Sequence, residues 1–112
     1  MPSDDRQQRI GRNEALFREV NERLEQLHDS FEVPAGEEQF LCECGDASCA
    51  QPIELTHAEY ERIRADPALF AVVAGHEQLD VEEIVEENDR FHVVRKQAGE
   101  AQRIAVRRDP RG

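Results

Sequence analysis

Phe40-Leu41-Cys42-Glu43-Cys44-Gly45-Asp46-Ala47-Ser48-Cys49-Ala50-Gln51-Pro52-Ile53-Glu54-Leu55 carries all three cysteines of a 112-residue chain. Its two ends, Phe40 to Cys42 and Pro52 to Leu55, read as short strands. Joined by the cysteine loop, they make a β-hairpin with a metal knuckle at its tip. Alternate side chains of an extended strand share a face, so Cys42 and Cys44 point one way. Gly45 and Asp46 then supply a turn that returns Cys49 toward the same point. An odd set of thiols this crowded suits a tetrahedral Zn(2+) ion better than a disulfide framework.

Four thiolate or imidazole ligands close such a shell, and the chain has four histidines. His28 falls in a helical pattern and His92 in a strand pattern. His57, shortly after Cys49, and His76, at a strand-to-loop break, both remain open as fourth ligand, and spacing does not separate them.

Outward from the knuckle, Leu55-Thr56-His57-Ala58-Glu59-Tyr60 is a helix start. Thr56 caps, Glu59 completes the capping box and Leu55 staples onto Tyr60. The helix should stop near Asp66-Pro67, with Tyr60 and Ile63 inward. Leu69 to Val73 is a strand closed by Gly75. Val81 to Glu87 is ambiguous between helix and strand, but Asn88-Asp89 and the strand-like Phe91 to Lys96 favour a second β-hairpin.

Before the knuckle, Ile10, Phe17, Leu24 and Phe31 recur at heptad spacing with Val20 and Leu27 between them, and Asn13 takes the remaining place. This stripe predicts an amphipathic helix over about 10–29, with Leu16 widening its inner face. Glu14, Arg18, Glu22 and Gln26, with Arg12 and Glu19, form the expected solvated face. The stripe packs on its own domain or docks on a second copy or another protein. Val33-Pro34-Ala35-Gly36 ends the pattern.

The expected architecture is therefore α+β: an N-terminal amphipathic helix, a zinc-knuckle β-hairpin, a central capped helix and a small antiparallel sheet. A flexible N-terminus covers 1–9, one zinc-binding domain 10–96, and a basic tail 97–112, flexible or with a short surface helix around Glu100 to Val106. At 38% hydrophobic, 35% charged and without Trp, the composition is lean for a core, and a metal would strengthen so small a domain.

The formal charge is -11. The acidic excess lies between Glu19 and Asp89, where only Arg23, Arg62 and Arg64 are basic. Such a body opposes the phosphate field of nucleic acid and the surface of an anionic membrane. It fits a basic protein partner instead, and a homodimer is compatible with the helical stripe. Arg103, Arg107, Arg108 and Arg111 read as a solvated tail that offsets the body's charge. The polar opening Met1-Pro2-Ser3-Asp4-Asp5-Arg6 leads into no uninterrupted apolar run, so neither a secretory signal nor a span is expected, and the expected compartment is the reducing cytoplasm.

Several stretches together resemble a family of short actinobacterial proteins: Arg12 to Arg23, Phe40-Leu41-Cys42-Glu43-Cys44, Ile53-Glu54-Leu55-Thr56 with Glu59-Tyr60, Gly75-His76-Glu77, and Asp109-Pro110-Arg111. The resemblance covers most of the chain. It implies a zinc-binding fold and no particular activity. In that family the Gly-His-Glu step recurs while the position of His57 is commonly another residue, which implies Cys42, Cys44, Cys49 and His76 as the ligands and leaves His57 as the alternative.

A catalytic zinc would need an open position and a base, for which Glu43 or Glu77 are the candidates. The thiolate-rich set and the absence of H-E-x-x-H and of the deaminase pattern argue against it. The expected function is a non-catalytic interaction or regulatory module with a structural zinc. A thiol-based zinc redox sensor is the alternative, and a zinc enzyme trails both.

Overall fold

Thr56 ends one element and begins the next. Its hydroxyl accepts the Glu59 backbone N–H (3.1 Å) while the Glu59 carboxylate accepts the Thr56 N–H (2.8 Å), the reciprocal box read in the sequence. Removing the hydroxyl with Thr56→Ala is expected to cost about 1 kcal/mol, readable by urea denaturation.

The computed structural model describes residues 4–30 and 37–111. Helix α1 spans Asp4–Ser30, followed by β1 (Glu37–Leu41), β2 (Pro52–Thr56), α2 (His57–Arg64), β3 (Leu69–Val72), β4 (Glu82–Glu87), β5 (His92–Lys96) and α3 (Glu100–Arg107). The fold is α+β. Strands β1 and β2 form an antiparallel ribbon with Phe40 opposite Ile53, and β3-β5-β4 form an antiparallel sheet. The ambiguous segment is thus a strand, and a bulge between Ile84 and Glu86 leaves Val85 exposed.

Phe40, Ile53, Leu55, Tyr60, Ile63, Ala71, Phe91 and Val93 make the main core. The rings of Phe40 and Tyr60 stack at 4.5 Å, joining the ribbon to α2. A smaller core of Cys42, Cys44, Phe70, Val72, Val94 and Ala105 lies under the knuckle.

Both termini depart from expectation. Helix α1 begins at Asp4, ahead of the expected start near 10, because its first turns are held. Arg6 pairs with Asp80 (2.8 Å), and Gln7 Oε1 accepts the Glu100 N–H (2.8 Å). In the tail, the short helix expected around Glu100 to Val106 is present as α3, but it packs rather than lying on the surface, burying Ala101, Ile104 and Ala105, and Arg111 is drawn into ion pairs with Glu22, Glu25 and Glu61.

The larger correction concerns which face of α1 is inside. Glu14, Arg18, Asn21, Glu22 and Glu25 are buried together with Ile10 and Ala15, whereas Leu16 and Leu27 are each 51% exposed and Phe17, Val20 and Leu24 are half-buried. Of the expected solvated face, Arg12 and Gln26 do lie exposed. The buried row stands one residue beyond the apolar stripe, a rotation of roughly 100°.

The body offers polar partners along that line. Arg18 donates to Pro67 O (2.8 Å) and Ala105 O (2.6 Å) and lies over the Phe70 ring. Asn21 donates to Leu41 O (2.8 Å) and accepts its N–H (2.7 Å). These satisfied bonds compensate for burying the polar face. Among the described residues no helix is long and apolar enough to cross a membrane.

Candidate metal centre

The knuckle hangs from the end of β1. Cys42 N–H donates to Gln51 O (2.9 Å), continuing the ribbon, and Glu43 N–H donates to Ala71 O (2.8 Å), stitching it to β3. Alternation then sends Cys42 and Cys44 to one side and Glu43 to the other. Asp46 O accepts the Cys49 N–H (3.0 Å), closing the turn that brings the third thiol back.

Gly45 is fixed by a close approach. A Cβ there would stand 2.6 Å from Ile10 Cγ2 on α1, and Asn13 Nδ2 donates to Gly45 O (2.9 Å). The branched Ile10 side chain has little freedom to give way. Gly45→Ala is therefore expected to push the knuckle off α1, measurable as a lower melting temperature and a weaker hold on metal.

His76 comes from the turn that follows β3. Its N–H donates to Val73 O (2.9 Å), closing a turn in which Gly75 has φ +93°, a conformation that glycine adopts without strain. The turn aims Nδ1 at the thiols, 3.5 Å from both Cys42 Sγ and Cys49 Sγ. One ligand atom from each of Cys42, Cys44, Cys49 and His76 lies within 4.8 Å of the others. A tetrahedral ion with sulfur at about 2.3 Å and nitrogen at about 2.05 Å sets sulfur and nitrogen roughly 3.5 Å apart. The two sulfur–nitrogen distances are compatible with a metal shell, in which the nitrogen ligand would be Nδ1.

The thiols differ in their ease of ionisation. A hydrogen bond from Cys42 pulls Cys44 down to about 5, while the same contact, followed by burial, pushes Cys42 up. Burial pushes Cys49 up. Val73 N–H donates to Cys42 Sγ (3.1 Å), the kind of backbone bond that steadies a metal-bound thiolate. A cleft of about 190 Å³ lined by Cys44, Asp46, Gly75, His76, Glu77 and Gln78 lies beside the cluster.

The other histidines stand elsewhere. His57 Nδ1 is 3.5 Å from Glu25 Oε2, outside the thiol cluster, and His92 Nδ1 is 3.0 Å from Glu77 Oε1. The side chain of His28 lies outside the described residues. Neither candidate base is spare. Glu43 is fully buried, accepting from Asn21 Nδ2 (2.8 Å) and Ala71 N–H (3.1 Å), and Glu77 also accepts the Gly75 N–H (2.7 Å).

No family model, curated protein or solved structure matches the chain. Its functional reading therefore rests on the arrangement of its own side chains.

Sequence reasoning missed the polar layer behind the knuckle, in which Asn21 bonds both β1 and Glu43. A signal was present. Asn13 and Asn21 sit in the interior of α1 although Asn is a poor helix former there, as expected where the side chain serves another segment.

Proposed function

We propose that this chain is a non-catalytic interaction or regulatory module built round a structural zinc ion held by Cys42, Cys44, Cys49 and His76. The observation that carries the reading is the convergence of three Sγ atoms and His76 Nδ1 from two loops, within 4.8 Å of one another. Four protein ligands close a tetrahedral shell and leave no position for a reacting water. Glu43 and Glu77, the carboxylates beside the ligands in sequence, are both committed to structural bonds.

The working surface in this reading is the outer face of α1, where Leu16 and Leu27 stand half exposed on a strongly acidic body. A basic protein is the matching partner, since opposite charge steers association. The test is capture by the tagged chain, beside a Leu16→Asp/Leu27→Asp variant. A bound basic protein that is lost with the variant at unchanged melting temperature supports this face; retention refutes it. Sedimentation of the purified chain tests the homodimer.

Cys49 is the most exposed of the three thiols, and this favours a second reading, a redox sensor that releases zinc on oxidation. Mild peroxide with zinc release followed by an indicator dye decides it. Metal retained at doses that oxidise ordinary thiol switches would end that reading.

A further inference from the structure

A second cluster lies away from the thiols, where α1 meets α2. Glu22, Glu25, Glu61 and Asp109 gather around Arg64 and Arg111. Arg64 Nε is 2.5 Å from Glu22 Oε1, and Arg64 also pairs with Asp109. Arg111 reaches Glu22 Oε1 (2.8 Å), Glu25 Oε1 (3.1 Å) and Glu61 Oε2 (2.5 Å). Four carboxylates thus share two guanidiniums, and when all are ionised the group is short of two positive charges.

The shortfall has an address. Glu25 is only 5% exposed, and its Oε2 is buried without a hydrogen-bond partner. An ionised oxygen left this way is costly. It faces His57 Nδ1 at 3.5 Å, and Glu61, one turn further along α2, brings Oε1 to 3.8 Å from the same ring at Nε2. One ligand atom from each of Glu25, His57 and Glu61 lies within 4.8 Å of the other two. Two ligand atoms about 2.1 Å from a tetrahedral ion lie roughly 3.4 Å apart, close to the separation of Glu25 Oε2 and His57 Nδ1.

We propose that Glu25, His57 and Glu61 form a second divalent-cation site, of nitrogen and oxygen ligands, that ties α1 to α2 and shares no residue with the thiolate centre. Imidazole with carboxylates suits Zn(2+) and its neighbours Co(2+) and Ni(2+), which bind such donors well. His57 is about half exposed, so water completes the shell on that side. Arg111 is the competing cation. It holds Glu61 and the other oxygen of Glu25, and an entering ion displaces it toward Glu22.

Titration of the whole chain with Co(2+), followed by absorption, tests this independently of the first site. Thiolate ligation gives a sulfur-to-cobalt charge-transfer band, which nitrogen and oxygen ligands do not. The expected result is two equivalents for the wild type, only the first raising that band. Glu25→Gln and His57→Ala should each retain the first and lose the second or weaken it at least tenfold. Arg111→Ala should tighten the second severalfold. His57→Ala alters a half-exposed side chain, and circular dichroism confirms its fold. A wild type that takes up no sulfur-free equivalent overturns the site, as does a second equivalent unchanged in both Glu25→Gln and His57→Ala.

Discussion

Cys44→Ser is expected to remove the metal that the proposed four-ligand site would hold and to lower the melting temperature by more than roughly 10 °C. Cys44 is 1% exposed and sits between Cys42 and the Gly45 contact with Ile10, so its loss takes away a ligand and disturbs packing together. Structural zinc contributes on the order of 10–16 kcal/mol of apparent binding energy in small peptides, and that energy acts as folding energy. Only part of it need vanish to exceed the fall stated, because 1 kcal/mol moves the midpoint of a domain near this size by about 4–8 °C. Calorimetry beside metal analysis reads both effects. His76→Ala should lose metal equally but cost less packing, since His76 is partly exposed on its turn. His57→Ala should leave this centre intact. Full metal content with an unchanged midpoint in Cys44→Ser would contradict the assignment.

Lys96→Ala is the second large effect, expected at roughly 3–5 kcal/mol of lost stability. Lys96 comes from β5 with a fully buried side chain. Its Nζ lies 2.6 Å from Glu14 Oε2 on α1, pairs with Glu82 Oε1 on β4, and sits 5.8 Å from the centre of the Phe70 ring. Removing the ammonium leaves the buried carboxyl groups of Glu14 and Glu82 without the cation they share. Burial, opposed by Lys96 and reinforced by Glu82, already holds the Glu14 carboxyl well above its ordinary 4.5, so folding takes up a proton there. That contribution is complete below 4.5 and is lost as pH rises through the folded value. Glu14→Gln should therefore gain on the wild type between about pH 4.5 and pH 7, measured as a growing difference in melting temperature. A difference that stays flat or shrinks over this range would show that Glu14 folds ionised.

The ribbon, the capped helix and the β3 and β5 strands were legible because each is encoded locally. Thr56 and Glu59 carry the cap, and apolar runs of β-branched content, Leu69 to Val73 and Phe91 to Lys96, carry the strands. The candidate ligand cluster was legible for the same reason on the cysteine side, where Cys42, Cys44 and Cys49 share one short loop. Spacing left His76 and His57 both open, since nothing local says that the turn at Gly75 faces the knuckle; only the resemblance pointed to His76, which does stand beside the thiols.

The inner face of α1 was misread for a different reason. Apolar periodicity presumes that the buried face is the greasy one. Here Arg18, Asn21 and Glu14 find bonds to Pro67, Ala105, Leu41 and Lys96, all supplied by distant segments. Polar burial along this line turns the helix one residue away from its stripe and leaves Leu16 and Leu27 outward. The docked tail was equally hidden, because Arg111 finds its carboxylates on α1 and α2.

The central claim is that one ion is bound by the three thiolates and His76. Its most direct test is to modify the cysteines of freshly purified protein with a chromophoric thiol reagent while an indicator dye reports released zinc. The account predicts about one zinc ion freed per chain, in step with modification of the thiols. Three thiols that react at once with no metal appearing would contradict it.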